Sequence, residues 1–144
     1  MKPEDAADAL HVHVDGACRG NPGEAGFGLY VSTESGAEIA SLYGYLGRAT
    51  NNIAEYQGLI HGLKFAVARG ARKVRLFMDS ELVVRQMQGA YKVRHPGLIP
   101  LQREALGLLR RIEDASLTHV RREANRRADR LANRALDEKA SKLS

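Results

Sequence analysis

Four acidic residues stand where folding can bring them together: Asp15, Glu55, Asp79 and Asp129. Asp15 closes the alternating run LHVHVD, and Asp79 closes the β-rich run KVRLFMD. Glu55 falls in the first turn expected of NIAEYQGLIHGLKFAVA, and Asp129 in the first turns of EANRRADRLANRALDEKA. They are 40, 24 and 50 residues apart, so only tertiary structure can assemble them. Carboxylates at close range raise each other's pKa, and hard divalent cations such as Mg²⁺, which prefer oxygen ligands, relieve that cost. A pair of such ions about 3.5–4 Å apart suits phosphodiester hydrolysis. Taken singly, each acid has a plainer reading. Asp15 and Asp79 suit turns, and Glu55 and Asp129 suit the positive end of a helix.

The elements that must position these acids follow from periodicity. LHVHVDG (10–16) reads as a strand, and the Gly- and Pro-rich CRGNPGEAG that follows reads as a loop. GFGLYVST and EIASLYGYLG are two further strands around the turn ESGA, giving an antiparallel meander. Residues 52–68 carry an apolar helical stripe, with Asn51 or Asn52 as the expected cap. A strand at 73–79 leads into a helix that Ser80 can cap. A basic connector then reaches a helix at 101–113, a strand at 116–122 and a last helix. The order β-β-β-α-β-α-α-β-α predicts an α/β fold. It is a mixed five-stranded sheet, three strands in a meander and two parallel, with helices on both faces. Asp15 and Asp79 then meet at a carboxyl edge if strands one and four are neighbours.

Composition narrows the class. A chain of 144 residues suits one domain, with a core at about 10–136 and mobile tails covering the first eight and last six residues. No apolar run is long enough to span a membrane, the N-terminus lacks a secretory pattern, and Cys18 is the single cysteine. A cytoplasmic monomer is the expectation. Residues 1–68 hold 4 basic and 8 acidic side chains, against 18 and 9 in residues 69–144. Six arginines crowd into 121–134. This asymmetry points to a polyanion, nucleic acid first, or to a solvated helix face.

The local contexts of the four acids resemble the motifs of the type 1 ribonuclease H family. DGACRGNPGEAGFG, TNNIAEYQGLI, MDSELVVRQMQG and NRRADRLANRAL match its four motifs in order, across about residues 10–136. The resemblance implies a ribonuclease H-like fold and endonucleolytic hydrolysis of the RNA strand of an RNA–DNA hybrid. Two Mg²⁺ ions, with Mn²⁺ as the alternative, would be held by Asp15, Glu55, Asp79 and Asp129, and the ends left would be 5′-phosphate and 3′-hydroxyl. It further implies substrate contacts by Cys18, Asn21, Thr50, Asn51 and Asn52, and stacking of Tyr91 on the DNA strand.

Three departures from the family pattern stand out. No basic protrusion follows the third motif, where GAYKVRHPG runs almost directly into a helix. Glu81 stands where the family often has Gln. No flexible His-bearing loop joins the last strand and helix, and His119 reads as a structural residue inside the strand. Two alternatives share these residues: a related metal nuclease acting on double-stranded RNA or junctions, and a non-catalytic nucleic-acid-binding module.

Overall fold

The computed structural model describes residues 9–144, so the expected N-terminal tail lies outside the described residues. Alternation in LHVHV builds β1 (Ala9–Gly20), which buries Leu10, Val12 and Val14 completely on one face. β1 continues through the Gly-rich segment read as a loop and turns at Asn21–Pro22 into β2 (Gly23–Ser32). Antiparallel pairing from His11↔Ser32 to Gly20↔Gly23 satisfies the backbone of that segment and overrides the weak strand preference of its glycines. β3 (Glu38–Ala49) completes the meander after a turn in which the Thr33 carbonyl accepts from the Gly36 amide.

β4 (Lys73–Met78) joins β1 in parallel, and β5 (Asp114–His119) joins β4 in parallel. The sheet order is β3-β2-β1-β4-β5, the mixed five-stranded arrangement expected. The last strand ends at His119 rather than continuing to Arg122, because a 3₁₀ turn (Arg122–Asn125) takes over the chain.

Among the described residues, four helices complete the fold: α1 (Asn51–Ala68), α2 (Glu81–Met87), α3 (Ile99–Leu109) and α4 (Arg126–Glu138). Thr50, not Asn51 or Asn52, caps α1, its Oγ1 accepting from the Ile53 amide at 3.2 Å. Ser80 caps α2 as expected, accepting from Val83 at 3.3 Å. α3 starts before residue 101 because Pro100 sits in its first turn, where no amide partner is required.

α1 lies over the sheet face bearing Val12, Val14, Leu29 and Leu76, with α3 packed against α1, and these residues form the main core. α4 covers the opposite face against β2, so helices do flank both sides. The approach of α4 depends on Gly28, where a Cβ would collide with the Ala128 carbonyl and the Ala132 amide. The C-terminal segment is not a loose tail. Lys142 and Tyr43 exchange backbone hydrogen bonds at 2.8 and 2.9 Å, and Ser141 Oγ accepts from the Tyr45 amide at 2.8 Å. It thereby shields the free edge of β3.

Candidate active site

The parallel ladder between β1 and β4 stops at His13↔Phe77, while β1 continues alongside β2. Asp15 therefore sits within β1, two residues past the point where β4 leaves it, rather than at the strand's end. Asp79 is the first residue beyond β4. The two neighbouring strands thus deliver both acids to the same carboxyl edge, the usual place for a ligand site in such sheets. Glu55 lies in the second turn of α1, not the first, and accepts a hydrogen bond from the Gly16 amide. Oxygens of Asp15, Glu55 and Asp79 lie within 4.8 Å of one another.

Asp129, in the first turn of α4, approaches from the other face of the sheet to within hydrogen-bonding range of Asp15. Asn133, one turn further on, donates to the Asp129 carbonyl at 3.0 Å and to its Oδ1 at 3.4 Å. All four acids line one cleft of about 710 Å³. Burial pushes the Asp15 carboxyl far above the ordinary carboxylate range, and the charges of Glu55 and Asp79 push the same way. Burial likewise raises Glu55, with the Gly16 amide opposing it. A buried all-oxygen donor set under mutual repulsion fits hard divalent cations, whose charge would offset the cost of ionising both carboxyls.

The proposed substrate residues gather mostly around the N-terminus of α1. Asn21 Oδ1, at the tip of the β1–β2 hairpin, accepts from the Asn51 amide at 3.1 Å. Asn51 and Cys18 line the cleft, with Cys18 Sγ facing the Ala49 carbonyl at 3.2 Å. Thr50 and Asn52 flank Asn51 in sequence at the same helix end. Tyr91 is 48% exposed on the segment after α2 and is not part of the cleft lining. Glu81 meets Arg85 at 3.4 Å one turn along α2.

His119 does not lie inside the strand as expected. It is the last residue of β5, exposed, and lines the same cleft as the acids, because β5 is an edge strand that ends at the site. Arg121 and Arg122 also line the cleft and bring positive charge to its rim. Ser80 and Asn133 are further members that sequence reading passed over as site residues. The signal for Asn133 was its i+4 spacing from Asp129.

Comparison with known proteins places these features in context. Residues 13–135 match the family described as reverse transcriptase-like. The chain is 46% identical over 127 residues to the bifunctional protein Rv2228c of Mycobacterium tuberculosis, covering 88% of this chain but only 35% of that protein. The chain thus spans about a third of that relative's length. It is 42% identical over 134 residues to ribonuclease HI of Halobacterium salinarum, covering 93% of this chain and 67% of that protein. The crystal structure of that organism's RNase H1 superposes with a TM-score of 0.87 at 43% identity, covering 90% of this chain and 98% of that one. The structure of LC11-RNase H1 in complex with an RNA/DNA hybrid gives a TM-score of 0.85 at 38% identity, over 90% of this chain and 98% of that one.

Proposed function

The chain belongs to the type 1 ribonuclease H family, and from that premise we propose that it cleaves the RNA strand of RNA–DNA hybrids internally. The products carry 5′-phosphate and 3′-hydroxyl ends. The observation that carries this reading is the convergence of Asp15, Glu55 and Asp79 within 4.8 Å, in a cleft that Asp129 also lines. These four residues would hold two Mg²⁺ ions, or Mn²⁺ in their place. Such a pair supplies a polarised attacking water and charge stabilisation at the leaving oxygen.

The chain's own groups do the rest. Asp15 and Asp79 share the centre of the cation site. Glu55 accepts from the ribose 2′-hydroxyl beside the scissile phosphate, and Asp129 orients the attacking water. Asn21, Asn51 and Asn52 present amides that can read 2′-hydroxyls, the group that marks RNA. Thr50 Oγ1 is occupied as an acceptor by the Ile53 amide, which leaves its O–H to donate to a DNA-strand phosphate. Cys18 contacts the substrate from the hairpin, and Tyr91 stacks on the DNA strand. No helix among the described residues is long and apolar enough to cross a membrane. We further propose that this domain acts as a monomer in a reducing cytoplasm, a reading that rests on its single cysteine, Cys18.

The experiment is cleavage of labelled RNA–DNA hybrid, double-stranded RNA and double-stranded DNA, each with and without Mg²⁺. Cutting confined to the RNA strand of the hybrid and dependent on Mg²⁺ is expected. Equal cutting of double-stranded RNA would establish the broader nuclease, and binding without cutting would establish a recognition module.

A further inference from the structure

Asp15 and Asp129 come from different elements on opposite sides of a packing interface, and their carboxyl groups lie within hydrogen-bonding range of each other. One buried side chain spans the gap between those elements. Asn125 closes the 3₁₀ turn at the N-cap of α4, is only 1% exposed, and donates from Nδ2 to the Val14 carbonyl at 2.9 Å. Val14 is the residue before Asp15. Asn125 precedes Asp129 by four residues, about one helical turn. The bond falls at the first residue of β1 beyond its ladder with β4.

Two further observations separate this residue from ordinary helix capping. Its side chain makes no cap bond to the amides of α4. Its Oδ1 is buried without a partner among the described residues. Buried acceptors are nearly always satisfied, so the amide is held here by its donor alone, and that donor serves β1.

We propose that Asn125 is a positioning residue: by holding the Val14 carbonyl it sets the separation of the Asp15 and Asp129 carboxylates and so the geometry of the cation site between them. The inference rests on the reading of these acids as cation ligands. Groups that orient metal ligands from behind typically govern affinity or activity by about 10–100-fold.

The test compares Asn125→Ala and Asn125→Gln with wild type and with Leu136→Ala. Leu136 is a core residue 1% exposed near the far end of α4, and its truncation destabilises the same helix away from the site. Two readouts are taken: the Mg²⁺ concentration that half-saturates the rise in Tm, which needs no turnover, and kcat and KM on the hybrid. Both Asn125 variants are expected to need roughly tenfold or more additional Mg²⁺ and to lose kcat 10–100-fold with KM little changed. Leu136→Ala should keep the wild-type Mg²⁺ requirement despite a lower Tm.

A folded Asn125 variant with the wild-type Mg²⁺ requirement overturns the proposal. So does failure of both variants to fold, since Asn125 would then serve the fold rather than the site. An inactive wild type that still responds to Mg²⁺ would overturn the nuclease reading alone, because the thermal comparison still decides the role of Asn125.

Discussion

The Gly16 amide donates to a carboxylate oxygen of Glu55, tying the strand that carries Asp15 to the helix that carries Glu55. The contact requires a residue without a side chain. A Cβ at Gly16 would run into the Ala54 carbonyl carbon and the Glu55 amide, both backbone atoms that cannot rotate away. Gly16→Ala is therefore expected to push α1 off β1. Overpacking of this kind costs about 1–3 kcal/mol, and the displaced Glu55 should lower kcat more than the stability loss explains. Thermal unfolding and hybrid-cleavage kinetics on the purified variant check this, and wild-type values for both would contradict it.

The crowded acids also leave a signature in stability. Asp15 and Glu55 hold protons in the folded state at pH values where the unfolded chain has released them. The native state then binds more protons than the unfolded one above the ordinary carboxylate range, so this contribution weakens as pH rises. In EDTA, Asp15→Asn is expected to be more stable than wild type at pH 8, with the difference shrinking toward pH 5. Adding Mg²⁺ should reverse the order at pH 8. A wild type already more stable than Asp15→Asn in EDTA at pH 8 would refute the burial argument.

The basic half of the chain predicts how binding responds to salt. If it neutralises about 4–6 phosphates, log K for the hybrid should fall against log salt with a slope of roughly −4 to −5. Arg121 and Arg122 line the cleft, so replacing both with Ala should make the slope shallower by about 1–2. A slope near zero in wild type would mean that the arginine-rich stretch is only a solvated face.

The C-terminal segment should matter to stability and not to chemistry. Its bonds to Tyr43 and Tyr45 are three, at 2.8–2.9 Å, each worth about 0.5–1.5 kcal/mol before the entropy of ordering the chain is subtracted. Removal of residues 140–144 is expected to cost about 1–2 kcal/mol in urea unfolding while leaving KM for the hybrid unchanged. An unchanged midpoint would show that the segment adds nothing to the fold.

Much of this molecule was legible in its residues. The acids could be placed on their elements because alternation and helical stripes are strong local signals, and the order of elements left few topologies. The extent of β1 was not legible, because Gly20, Gly23 and Gly26 read locally as a loop. Their backbone is satisfied by a partner strand, and Gly16 and Gly28 are small because helices press against them. Glu55 fell one turn deeper than expected because Thr50 caps α1. His119 reached the cleft, and Lys142 reached β3, through pairings whose partners lie far away in sequence. Asn125 looked like one more polar residue in an arginine-rich stretch. Only the position of the Val14 carbonyl reveals what it does.

The most direct measurement of the central claim is Asp79→Asn, assayed for binding and for cleavage of the same labelled hybrid. Asp79 is half-buried beside Asp15 and Glu55, so the substitution removes one cation ligand and one charge that repels phosphate, with little change in shape. The expected result is loss of cleavage at every Mg²⁺ concentration, with hybrid affinity kept or improved. Turnover at the wild-type rate by the folded variant would contradict the assignment of these acids as the catalytic centre.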